Sequence, residues 1–159
     1  MAPPGSEPVL TPHDPIFIDS NSDFAFGSNG VVAGSGTEFD PWVIENWNIS
    51  SPSSADGIWI QDTTDFFVIR NCIVSDAGDY VGIGLSGVVN GRVENCTLTD
   101  SADGIYVDSS DFISIVNCSF SSNDVGIELF GSSFNNLIGN VFDGNYYGGI
   151  FLYSGSTQR

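Results

Sequence analysis

The chain has 159 residues, with 20 Asp plus Glu against three Lys plus Arg, giving a formal net charge of −17 at pH 7. A surface this negative repels nucleic acid, anionic lipid and polyuronate chains, and suits cations, neutral sugars or high salt. No apolar run approaches a membrane span, so the sequence gives no expectation of membrane insertion. The hydrophobic share of 41% is enough for one domain with a sizeable core, and the 19 glycines point to many tight bends rather than disorder.

Residues 1–12 are Pro-rich and read as a disordered N-terminal segment or linker. No signal peptide is visible at Met1, so MAPPGSEP reads as part of a linker at a mature terminus. Residues 13–36 contain two short strand candidates among turn signals, PHDPIFIDSNSDFAF and GSNGVVAGSG. They are expected to cap the first coil of the repeating region, because an open sheet end exposes unpaired backbone.

Residues 37–159 read as repeating coils, the last one incomplete. DGIWIQ, VGIGLS, DGIYVD, VGIELF and GGIFLY align on Gly57, Gly82, Gly104, Gly126 and Gly149, at spacings of 25, 22, 22 and 23 residues. A second word, RNCIV, ENCTL, VNCSF and a degraded IGNVF, places Cys72, Cys96, Cys118 and Asn140 in register. PWVIENWNIS fits the same word one repeat earlier, with Trp47 at the Cys72 position. Self-similarity at this period marks a solenoid, in which each repeat buries its apolar side on its neighbours.

After each glycine, apolar residues alternate with variable ones, which is the period of a strand. Ile58, Ile83, Ile105, Ile127 and Ile150 form one inward file, and Ile60, Leu85, Val107, Leu129 and Leu152 a second. Twenty-two residues are too few for a strand–helix–strand unit, which needs roughly 30, but they suffice for three short strands. The expected fold is all-β: a right-handed, single-stranded parallel β-helix of about five coils with an N-terminal cap.

Rungs stack about 4.8 Å apart, so one favourable residue can repeat as a file. Asn46, Asn71, Asn95 and Asn117 form such a file at a bend, where their amides are expected to hydrogen-bond along the stack. Glu45, Arg70 and Glu94 form another, with one guanidinium expected between two carboxylates. Cys72, Cys96 and Cys118 are expected to be buried free thiols, since parallel neighbours are poorly placed for a disulfide. Gly149 opens a coil without its second word, so another copy stacked end to end, or a flanking domain, is expected to cover that end.

The GI-x-L/V and NC-x-F words, with the entry GSGTEFDPWVIENWNI, resemble the parallel β-helix repeats of the NosD-like, pectate-lyase-like superfamily. The likeness spans residues 13–153. It implies an extracellular or cell-surface location and is silent on activity, because the fold hosts lyases, hydrolases, adhesins and accessory factors. A lyase needs a basic residue near the substrate, leaving Arg70 and Arg92 as candidates. A hydrolase needs an aspartate pair, and the family's NTD, DD, GHG and RIK words are missing. His13, in the cap, reads as structural. Copper delivery, associated with the NosD branch, has no support in a chain with one His and one Met.

Two features remain as ligand sites. Trp59, Tyr106, Glu128 and Phe151, with Gly84 opening a gap between the first two, form an outward file flanked by Gln61, Asp108, Phe130 and Tyr153. Rings spaced along a strand face can stack on sugars while carboxylates and amides take the hydroxyls. Second, Asp76, Asp79, Asp100 and Asp103 collect in bends, where adjacent rungs could share calcium. Calcium is the one cofactor to consider; the competing explanation is that aspartate is simply a good bend residue. Asn48-Ile-Ser is an N-glycosylation acceptor sequence, whereas a glycan on Asn95 or Asn117 is not expected to fit within the file.

The sequence thus reads as a non-catalytic extracellular scaffold, structural or self-associating into filaments. The alternative is a carbohydrate-binding module on the Trp59 face, and the third reading is a polysaccharide lyase or hydrolase-like domain. The expected partners are copies of itself, flanking domains or neutral glycans.

Overall fold

The computed structural model describes residues 9–153 and the backbone of Thr157 and Gln158. The chain winds through three sheets in turn. The first comprises Thr11–Pro12, Trp47–Ser50, Ile73–Gly78, Thr97–Ser101, Ser119–Ser121 and Val141–Asp143. The second comprises Ile16–Ile18, Ile58–Gln61, Ile83–Ser86, Asp103–Asp108, Val125–Phe130 and Gly148–Leu152. The third comprises Val31–Ala33, Trp42–Glu45, Phe67–Arg70, Gly91–Glu94, Ser114–Val116, Ser133–Ile138 and Thr157–Gln158. Every strand pairs in parallel with its counterpart one coil on, except Val31–Ala33, which runs antiparallel to Trp42–Glu45.

The glycine-anchored word forms the second sheet, in the register its repeats dictate. Ile58 pairs with Ile83, Ile83 with Ile105, Ile105 with Ile127 and Ile127 with Ile150. The first four of these isoleucines are fully buried, whereas Ile150, on the last rung, is 42% exposed. The other walls have matching files, Ile49-Val74-Leu98-Phe120-Phe142 in the first sheet and Ile44-Ile69-Val93-Ile115-Leu137 in the third. Burying one such side chain contributes roughly 2 kcal/mol, so the axial column is the main source of stability.

Corners are made by residues that tolerate a left-handed backbone. Asn46, Asn71, Asn95 and Asn117 all have φ between 52° and 62°, and Gly139 (66°) continues the file. Among the described residues these four asparagines make no side-chain amide bond to one another, contrary to the expectation of an amide ladder. What recurs is the backbone conformation, which asparagine accepts more readily than most residues. Side-chain ladders do exist, at other corners. Asn140 accepts from the N–H of Cys118 at 2.9 Å and donates to the Ile115 carbonyl at 2.9 Å. Asn123 and Asn135 do the equivalent from buried positions. Ser110 and Ser132 form a hydroxyl file, each Oγ receiving the N–H one coil back (Val88 and Ser110) at 3.0 Å.

The N-terminal end is closed. Ile16 and Ile18 continue the inward files, and the Phe24 ring, 4% exposed, stacks at 5.9 Å on both Trp42 and Phe67. The antiparallel Val31–Ala33 leg then stops the pattern from propagating. The cap also starts earlier than expected from the sequence: the Thr11 N–H donates to the Asn46 carbonyl at 3.0 Å. Pairing therefore begins two residues before His13, and residues 1–8 of the expected disordered segment lie outside the described residues.

The charge file is modified. Glu45, Arg70 and Glu94 lie on consecutive rungs, but among the described residues Arg70 pairs with Glu45 alone, at 2.6 Å, while Glu94 takes Arg92 at 2.5 Å. Arg92 lies in a strand, two residues from Glu94 and on the same face. Both pairs are partly exposed and contribute about 1 kcal/mol at most.

Candidate ligand-binding face

The second sheet presents its alternate residues outward. Phe17, Trp59, Gly84, Tyr106, Glu128 and Phe151 are in register, extending the expected file by one ring at the capped end. Beside them run Gln61, Ser86, Asp108 and Phe130. Tyr153 lies next in that line, its ring 6.2 Å from that of Phe130.

Gly84 does not leave a gap. A Cβ there would stand 2.1 Å from Cε3 and 2.3 Å from Cζ3 of Trp59, so the indole leans over onto the bare backbone. Its Nε1–H donates to Gln61 Oε1 at 2.7 Å, and Gln61 Nε2 donates to Asp19 Oδ1 at 2.5 Å. The ring is thus seated by a glycine and held by an amide that the cap holds in turn. Gln61, expected to take ligand hydroxyls, instead spends its amide positioning Trp59. Asp108 remains as a carboxylate on the face, accepting from Ser109 Oγ at 3.1 Å.

Carboxyls crowd around Tyr106. Burial, then Glu128, then Asp124 raise the Asp103 carboxyl from an ordinary 3.8 to about 7. Burial also raises Glu128. Burial first, then Asp108, Glu128 and Asp103, raise the Tyr106 hydroxyl. The consequence for stability has a definite sign. Native Asp103 holds a proton that the unfolded chain releases near 3.8, so its contribution is present in acid and is lost as pH rises to about 7. Asp103→Asn is therefore expected to flatten the fall in melting temperature between acid and neutral pH. Above pH 7 the variant should gain roughly 1 kcal/mol after allowance for solvent screening, read as a higher melting temperature in a pH series.

Among the described residues no three His, Cys, Asp or Glu side chains are grouped to hold a metal ion. Asp76 and Asp100 are exposed, with φ of 62° and 55° at an irregularity within the strands Ile73–Gly78 and Thr97–Ser101, Asp79 is exposed in a turn, and Asp103 lies half-buried in a strand. Asp76 instead accepts from Ser50 Oγ at 2.8 Å and Ser75 Oγ at 3.0 Å. A left-handed backbone accounts for Asp76 and Asp100.

Cys72, Cys96 and Cys118 are buried free thiols. Each Sγ–H donates to the carbonyl two residues back, at 3.3, 3.3 and 3.5 Å. The middle thiol, Cys96, is pushed well above its usual range, first by Cys118, then by Cys72 and by burial. Asn48 is exposed, and so are Asn95 and Asn117, which burial therefore does not exclude as acceptors.

The molecule is a parallel β-solenoid whose second sheet carries an outward aromatic and acidic face. A family model described as "Right handed beta helix region" matches residues 16–158, and the chain belongs to that family. No curated protein and no solved structure matches the chain.

Proposed function

We propose that this β-helix is a non-catalytic extracellular scaffold that holds neutral glycans on the outward face of its second sheet. The observation that carries the reading is the seated indole: Trp59 packed on Gly84 and bonded to Gln61 is a pre-organised flat surface, which lowers the cost of stacking a sugar ring. Tyr106 and Phe151 lie on later rungs, and Asp108 and Glu128 supply acceptors for hydroxyls. The strong negative charge favours neutral over uronate chains. The superfamily resemblance in the sequence supports an extracellular location.

Retention on a glycan array tests this. Trp59→Ala is expected to lower binding at least about tenfold, by losing a stacked ring contact, while the melting temperature falls only a few degrees. Retention unchanged by that substitution removes the face from consideration. Release of reducing sugar by the wild-type protein would instead favour the hydrolase reading, with Asp103 and Glu128 as its carboxyls.

A second reading rests on the other end of the tube, where Val141, Ile150 and Leu152 are 59%, 42% and 52% exposed. Exposed apolar strands invite pairing. The antiparallel leg closes the opposite end, so association through this surface joins like ends in pairs instead of building filaments. A concentration-dependent dimer in sedimentation supports it, and a strict monomer at high concentration removes it.

A further inference from the structure

The N-terminal cap holds a cleft that the glycan reading does not use. An inner hollow of about 290 Å³ is walled by Trp47, Phe26, Val31 and the backbone of Gly27 and Gly30. An outer one of about 500 Å³ is lined by Asp14, Asn48, Ser50 and Pro12, and His13 borders both. The volumes are those of small-molecule sites. Phe26, one of the residues lining the inner hollow, is 77% exposed. The Trp47 ring lies 4.6 Å from His13, tilted by 52°.

We propose that this cleft binds a small aromatic or alkyl ammonium ion. Its donors and acceptors are unbalanced. Trp47 Nε1–H is already given to the Gly30 carbonyl at 2.8 Å. His13 Nδ1–H is given to the Asp14 carbonyl at 2.6 Å. Ser50 Oγ–H is given to Asp76 at 2.8 Å. Besides the Asn48 and Asn29 amides, the polar lining offers acceptors: the Asp14 carboxylate, the two amide oxygens and the Ser50 hydroxyl. Arg70 and Arg92, paired with Glu45 and Glu94, are not among the lining residues. A ligand rich in donors and positively charged completes such a site. Trp47 and Phe26 line the inner hollow as aromatic partners, and Asp14 lines the outer one as a counter-ion.

The test uses 2-phenylethylamine against its neutral counterpart 2-phenylethanol, followed by nitrogen–proton NMR spectra at about 0.15 M salt to suppress diffuse attraction. The amine is expected to shift the Trp47 indole resonance and the His13 backbone amide, and the alcohol to bind about tenfold more weakly. Asp14→Asn and Phe26→Ala, both at exposed positions, should each weaken the amine several-fold without altering the rest of the spectrum. The proposal is overturned if the amine leaves the Trp47 indole unmoved, if the alcohol binds as well, or if neither substitution changes the affinity. A neutral oligosaccharide that shifts the Trp47 indole in place of the amine also overturns it, and is distinguishable from glycan binding at Trp59 by which indole moves.

Discussion

Gly104→Ala is expected to cost about 4 kcal/mol or more, enough to remove much of the stability of a domain this size. The glycine is not required by its backbone angles. It is required because the next coil passes directly over it: an added Cβ would stand 2.7 Å from the Gly126 carbonyl oxygen and 2.6 Å from Phe120 Cδ1. The same obstruction recurs at Gly57, Gly82 and Gly126, where the next rung's carbonyl lies 2.7, 2.6 and 2.5 Å away. A backbone oxygen in a sheet cannot move aside without breaking the pairing of a whole rung. Gly144→Ala is the control. Its Cβ meets nothing within 4 Å, and only its φ of 68° opposes the change, a cost of about 1 kcal/mol. Urea midpoints for the two variants check the difference, and similar values would mean that the rungs are not stacked this closely.

Asn123→Ala is expected to cost about 3 kcal/mol, or roughly 10 °C in melting temperature. The Asn123 amide is 1% exposed. It accepts from the Ser101 N–H at 3.1 Å and donates to the Leu98 carbonyl at 2.9 Å and to Asn145 Oδ1 at 3.1 Å. Removing it orphans a buried donor and a buried acceptor where three coils meet, with no room for them to find new partners. Asn123→Asp keeps the acceptor but not the donors, and adds a buried charge, so it should be at least as damaging. Thermal melts of both variants give the answer. A loss below about 1 kcal/mol would be typical of an exposed position, and would contradict the ladder.

The architecture was legible because a β-helix writes its contacts as a period. Ile58, Ile83 and Ile105 lie one coil apart in sequence and touch in space, so the alignment of words is itself the strand register. Corners were half legible: their positions followed from Asn46, Asn71, Asn95 and Asn117, but not the reason for asparagine. A side-chain ladder and a left-handed backbone both select that residue, and only geometry separates them. Asn123 and Asn145 did carry a signal, the same 22-residue spacing, but a polar residue in a turn-rich stretch gives no hint of burial. The order of the outward file follows from the register of the words, whereas the role of Gly84 does not. A missing side chain can open space or seat a neighbour, and the direction in which Trp59 leans is not in the sequence. Arg70 and Glu94 failed as a pair because Arg92, two residues away on the same face, competes locally for the carboxylate. The cap cleft left no trace, since Trp47 and His13 meet across elements that share no repeat.

The central functional claim is that the Trp59 indole, seated on Gly84, is a platform for neutral sugars. Titration of neutral oligosaccharides into the labelled protein, followed at the indole N–H resonances of Trp42, Trp47 and Trp59, tests it most directly. The expected result is a saturable shift at Trp59 that spreads to Tyr106 and is lost in Trp59→Ala. Millimolar oligosaccharide that leaves the Trp59 resonance in place would contradict it.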